Sequence, residues 1–172
     1  MKKILALLIA VTTLLTLFFC GKEHLHEHYE LGLFFSIPED FEARNLSYGD
    51  LVYTNGDAYF YINAFDGDTL GEDTIFQDPD LTPIEYTDAI INDLSSDSNV
   101  SSDFTYDYDE EKNTTVFEYV YNYEEDYLDS EFYINKVLRT EEFLYVVTFS
   151  CYKADMAKYE KIYNKIMDSI KV

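Results

Sequence analysis

His24, His26 and His28 are the chain's only histidines and recur at a spacing of two. In an extended segment that spacing places all three imidazoles on one face. Neutral imidazoles grouped in this way could hold Zn²⁺ or Cu²⁺, with Glu23, Glu27 or Glu30 completing the shell. The segment is polar and offers no rigid surroundings to fix the rings. A solvated spacer is therefore the expectation and a metal-handling tether the alternative; no metal and no other cofactor is expected.

Other chemically suggestive spacings fail on inspection. The stretch from Asp66 to Asp73 alternates oxygen ligands, but a calcium loop needs an oxygen ligand at its fifth position and a bidentate Glu at its twelfth, where Leu70 and Gln77 stand. It is expected to be a solvated acidic loop running to Asp80. Ser150 and Lys153 have S-x-x-K spacing, yet they follow a predicted strand and no K-T-G accompanies them. There is no G-x-S-x-G and no Gly-rich phosphate loop, and no histidine lies beyond His28 to act as a general base. With 34 acids, carboxylate pairs are too common to single one out. No catalytic residue is assigned and the chain is expected not to be an enzyme, a carboxylate-based hydrolase being the remaining alternative.

Aromatic residues are abundant, with 17 Tyr, 13 Phe and no Trp. Phe117, Tyr119, Tyr121 and Tyr123 fall on one strand face, where they could form a platform for a glycan or peptide. The same ladder also suits a sheet face covered by a helix, which is the expectation; burial of these rings would remove the platform.

The elements that must position these groups begin with an address. Lys2 and Lys3 precede an uncharged apolar run from Ile4 to Phe19, the pattern of an export signal. Leu17-Phe18-Phe19-Cys20 resembles a bacterial lipoprotein box, which makes Cys20 the lipid-attachment residue, although Phe19 stands where such boxes carry a small residue. The alternative is an uncleaved anchor: Ile4 to Cys20 is seventeen residues, at the short end of the ~17–25 that span a bilayer. Both place the remainder on the extracytoplasmic side of a bacterial cell membrane.

The 153 residues from Cys20 onward suit one domain, long enough to bury about 70% of the surface the unfolded chain exposes. Net charge is −22, and −24 once Lys2 and Lys3 are removed. Nucleic acid is excluded as a partner by repulsion. Residues 153–172 are net +2 against an acidic body, so a cationic last helix is expected to complement the rest of the fold. Cys151 would have no partner if Cys20 is lipidated, and its apolar neighbours predict a buried, inert thiol.

Residues 21–28 are expected to be a tether. Tyr29, Leu31, Leu33, Phe35 and Ile37 alternate as in one half-buried strand ended by Pro38. Leu51–Thr54 and Ala58–Phe65 flank Asn55-Gly56 as a hairpin. Thr82-Pro83-Ile84-Glu85 is a capping box with proline at the first helical position, predicting a helix to about Leu94 with Tyr86, Ile90 and Leu94 buried. Phe104–Tyr108 with Thr115–Tyr123, and Glu131–Arg139 with Phe143–Phe149, read as two further hairpins. Phe143–Phe149 is apolar on both faces, as in a central strand. A helix from about Asp155 to Ile170 closes the chain with Tyr159, Ile162, Tyr163, Ile166, Met167 and Ile170 inward. The fold class is α+β on an antiparallel sheet.

The opening Tyr29 to Phe41 and the closing strand–helix unit from Phe143 to Ile170 resemble the PsbP-like superfamily, in its bacterial exported lipoprotein branch. That resemblance implies an α/β/α sandwich over residues 29–172 and a non-catalytic binding or accessory role, and it carries no functional residue across. The ligand is expected to be a protein, peptide or glycan, and the domain a monomer. Mass spectrometry of the mature protein is expected to find a chain that begins at a lipid-modified Cys20. A chain still beginning at Met1 would make the segment an anchor.

Overall fold

The run that is apolar on both faces lies at the middle of the sheet. In the computed structural model, which describes residues 25–46, 49–72, 78–101, 104–123 and 130–172, the chain forms β1 (Leu25–Glu30), β2 (Leu33–Pro38), β3 (Glu42–Arg44), β4 (Leu51–Thr54) and β5 (Ala58–Asp66). Then come α1 (Gly67–Glu72), α2 (Pro83–Leu94), β6 (Thr105–Asp109), β7 (Thr114–Tyr121), β8 (Glu131–Arg139) and β9 (Phe143–Tyr152). After a 3₁₀ turn at Lys153–Asp155, α3 (Met156–Ser169) closes the fold. The segment from Met1 to Cys20, and His24, lie outside the described residues.

Strands β3 to β9 form a seven-stranded sheet in the order β3-β4-β5-β9-β8-β7-β6, every neighbouring pair antiparallel. The hairpin β1-β2 is a separate two-stranded sheet. Every residue of β9 from Leu144 to Cys151 is buried, so both faces of the sheet need a cover. Tyr145, Val147, Phe149 and Cys151 face one core, with Phe60 and Ile62 of β5, Phe132 and Ile134 of β8, Leu33, Phe35 and Ile37 of β2, and Tyr159, Tyr163, Ile166 and Met167 of α3. Leu144 and Val146 face the other, with Phe117, Val137, Leu70 of α1 and Tyr86 of α2. The molecule is thus an α+β sandwich, an antiparallel sheet between helices.

Local chemistry sets the helix ends as the sequence predicts. At α2 the Glu85 amide donates to the Thr82 hydroxyl at 3.3 Å, and the Thr82 amide donates to the Glu85 carboxylate at 3.0 Å. The Thr82 side-chain bond, with the backbone bond behind it, holds the Glu85 carboxyl below the usual carboxylate range. A buried contact of 2.6 Å between the Thr87 and Thr115 hydroxyls seats the helix on β7. At the C-terminal turn of α3, where carbonyls lack helical partners, Lys136 Nζ of β8 donates to the Met167 carbonyl at 2.7 Å.

Three expectations are corrected. The alternation from Tyr29 to Ile37 is not one strand: the chain reverses at Leu31 (φ 53°) and Gly32 (φ 80°), two left-handed residues suited to a tight hairpin turn. The Tyr145 hydroxyl donates to the Leu31 carbonyl at 2.7 Å, and a Cβ on Gly32 would stand 3.1 Å from that hydroxyl. Leu25 to His28 are not tether but β1, paired with β2 over its whole length. The predicted acidic loop opens instead as α1, because Leu70 buries fully in the second core and Asp66 accepts the Thr69 amide at 2.7 Å.

Phe149 is fully buried on β9, so Phe149→Ala is expected to cost ~3–5 kcal/mol in chemical denaturation. Thr82→Ala, which removes only the cap, is expected to cost about 1 kcal/mol.

Candidate functional site

The sheet register assembles a patch that no single strand displays. On the α2 side, one row across the sheet reads Thr115, Val137, Val146 and Asn63; the next reads Phe117, Asn135, Thr148 and Tyr61; the next Tyr119, Tyr133, Ser150 and Tyr59. Beyond them Tyr121 lies opposite Glu131. Helix α2 sits over the first of these rows through Thr87. The chain after it joins the sheet margin beside β7, where Val100 bridges Tyr121 and the Ser101 amide donates to the Val120 carbonyl at 2.9 Å. Among the described residues, that path covers β7 and leaves the far ends of β5, β9 and β8 open. The opening is a cleft of about 320 Å³ lined by Tyr59, Tyr61, Glu131, Tyr133 and Ser150.

Glu131 is the one charged group among these lining residues. The Tyr133 hydroxyl donates a short hydrogen bond to it, and Tyr123 also bonds within this Glu131–Tyr133 group. Burial, and then the Glu131 carboxylate, push the Tyr133 phenol well above its ordinary range, so it stays a neutral donor. Burial does the same to Tyr119, whose ring stacks on Tyr133 with centroids 4.8 Å apart and planes 6° from parallel. Beneath the cleft, buried Asn135 accepts from the Thr148 hydroxyl at 2.8 Å, while its amide nitrogen has no hydrogen-bond partner. An orphaned buried donor costs ~1–3 kcal/mol, so Asn135 does not stand there for stability alone.

The predicted aromatic ladder divides. Phe117 is buried as core, whereas Tyr119 and Tyr121 are half-buried and Tyr123 is exposed. The platform reading therefore loses Phe117. It gains Tyr59, Tyr61 and Tyr133, which sequence reasoning missed because they arrive from β5 and β8.

The other candidates lie apart from the cleft. His26 Nε2 contacts Glu39 at 2.7 Å, and His28 stacks on Phe35 with centroids 5.3 Å apart, its Nδ1 3.3 Å from the Tyr53 hydroxyl. Both are held on β1 rather than on a free tether, and no group of three potential metal ligands forms among the described residues. Burial pushes the Cys151 thiol up to about 11. A second hollow of about 300 Å³ contains Asp40 and Glu42, but Asn55 donates to the former at 3.0 Å and Arg44 to the latter at 2.8 Å.

The fold and cleft together define an α/β/α sandwich of the PsbP/Mog1 type with a tyrosine-lined opening on one sheet face. No family model matches the chain, and no curated protein matches its sequence. Solved structures do share the fold. The Ran-binding protein Mog1p of Saccharomyces cerevisiae superposes with a TM-score of 0.56 at 9% identity, over 88% of this chain and 96% of its own. Cyanobacterial PsbP (CyanoP) of Synechocystis sp. PCC 6803 gives 0.54 at 10% identity, over 90% and 95%. LpqN of Mycobacterium tuberculosis, involved in cell envelope biogenesis, gives 0.51 at 10% identity, over 88% and 91%. The likeness expected from the two ends of the sequence is a likeness of fold, and at these identities it defines no activity.

The raised Tyr133 phenol links the site to pH. Its folded value lies above the unfolded value near 10, so its contribution to stability is complete below pH ~10 and is lost as pH rises toward the folded value. An ultraviolet titration of the folded protein is expected to show late-ionising tyrosines. Glu131→Gln should bring one of them earlier without restoring an ordinary value, since burial is the larger cause.

Proposed function

We propose that this protein is a non-enzymatic binding or accessory module on the extracytoplasmic face of a bacterial membrane, and that it binds its ligand in the tyrosine cleft. The observation that carries this reading is the cleft that Tyr59, Tyr61 and Tyr133 line together with Glu131. Tyrosine supplies an apolar ring with a polar tip on a stiff side chain, which suits recognition at small entropic cost. A binding role rather than a catalytic one is favoured because the described lining residues offer one carboxylate and no histidine or thiol. The paired carboxylates of the second hollow lie in the open, with the Glu42 side chain 70% exposed, where nothing separates an acid from a base.

The extracytoplasmic placement rests on the lysine-led apolar run that ends at Cys20. Among the described residues no helix is long and apolar enough to cross a membrane. LpqN, one of the fold neighbours, is itself involved in cell envelope biogenesis, which is consistent with this setting.

Two measurements test the proposal. Protease added to intact spheroplasts is expected to degrade the domain; protection would overturn the placement. In a calorimetric panel of saccharides, short peptides and small organic ions, at least one compound is expected to bind the full chain saturably and to weaken about tenfold or more in Tyr61→Ala. A panel with no binder, or binding indifferent to Tyr61, would overturn the cleft as the binding site.

A further inference from the structure

We infer that the ligand taken by the tyrosine cleft is a small organic ammonium cation, held between the Glu131 carboxylate and the rings of Tyr59, Tyr61 and Tyr133. This inference rests on the binding reading above and specifies its ligand class. Three independent features of the site favour a positive charge.

The first is the lining itself. Glu131 sits among phenols, and none of the described lining residues is basic. Among the described residues no ion pair neutralises the carboxylate. Tyr133 donates to one of its oxygens, and a carboxylate carries about four lone-pair directions, so acceptor capacity remains for a ligand.

The second is the rings. A cation over an aromatic face is attracted by the ring quadrupole, and more strongly once it is desolvated. Tyr119 stacks on one face of Tyr133, and Tyr133 lines the cleft together with Tyr59 and Tyr61. A phenol that donates to a carboxylate is polarised toward negative charge. Its hydroxyl also stays protonated, so the rings contribute as donors and faces while Glu131 supplies the single full charge.

The third is the field of the molecule. A chain of net −22 attracts cations to any concave, low-dielectric opening and repels anions from it. Neutral sugars gain nothing from that field. A carboxylate or phosphate ligand would be repelled first by the whole surface and then by Glu131. An ammonium group with apolar substituents satisfies the field, the carboxylate and the rings at once.

Choline is the probe, and its uncharged isostere, with a tert-butyl group in place of trimethylammonium, is the control. Calorimetry on the full chain is expected to show choline binding and no binding of the isostere at equal concentration. Glu131→Gln, which keeps the shape, should weaken choline about tenfold or more. Glu160→Gln, an exposed acid of α3 on the opposite side of the sheet, should leave it unchanged. Circular dichroism confirms the fold of each variant, and Tyr61→Ala provides a second lesion in the cleft that keeps the carboxylate.

Equal binding of the isostere, equal loss in both glutamate variants, or no choline binding would overturn the inference. If choline fails while a saccharide or peptide of the panel binds and is lost in Tyr61→Ala, the cation assignment falls and the cleft remains the binding site.

Discussion

Strand β9 has no face to offer water. From Leu144 to Cys151 each of its side chains is buried, and with a side-chain period of two that is possible only if both sides of the sheet are roofed. The remaining elements answer that demand. Helix α3 and the β1-β2 hairpin close one side around Phe149 and Tyr145. On the other side, α1 and α2 bring Leu70 and Tyr86 down on Leu144, Val146 and Val137. The flanking strands carry less of the burden. β6, at the sheet margin, exposes its first three residues, and β3 is exposed throughout.

The two roofs are unequal, and the cleft follows from the difference. On the α3 side the apolar contacts run from Tyr159 at one end to Ile170 at the other. Helix α2 is instead seated over Thr115, and the segment after it leaves along β7, so among the described residues no helix covers the rows that carry Tyr59, Tyr133 and Ser150. A sheet face left open is ordinarily polar. This one carries tyrosines, and the cleft they line also holds the carboxylate of Glu131, to which Tyr133 donates. Asn135 marks the boundary: it lies in the row between the sealed core and the open face, and its unpaired amide is a polar feature that a sealed core would have excluded.

Features governed by neighbouring residues were legible in the sequence. The cap formed by Thr82, Pro83 and Glu85 predicted α2 with its correct ends, and the spacing of Tyr159, Tyr163 and Ile166 predicted the buried side of α3. The hairpin β6-β7 followed from alternation, and β9 from a run apolar on both faces. Alternation failed at Leu31: the two-residue turn pairs Tyr29 with Phe34 and His28 with Phe35, so Tyr29 faces away from the core that Leu33, Phe35 and Ile37 enter, and only Gly32 hinted at the reversal. Helix α1 was missed because it is six residues long and Leu70 is the one buried side chain among those described in it, which leaves no period to read. The cleft was half visible. Tyr119 and Tyr121 stood out on their own strand, but Tyr59, Tyr61 and Tyr133 join them only through the register of β5 with β9 and β9 with β8. A signal was present in Tyr59-Phe60-Tyr61, where tyrosines flank a core phenylalanine, although one such triplet does not say what it will face.

The joining of the first and last elements carries a consequence for how the domain comes into being. Phe34 and Lys171 exchange backbone hydrogen bonds of 2.8 and 2.9 Å, and the Ser36 amide donates to the Ser169 hydroxyl at 2.9 Å. The β1-β2 hairpin thus finds part of its resting surface in residues that lie 133 positions further along the chain. Pairings this distant along the chain pay their closure entropy before they return any contact, which makes assembly slow and concerted. Until that closure is made, Leu33, Phe35 and Ile37 lack the surface of α3 that buries them in the folded state.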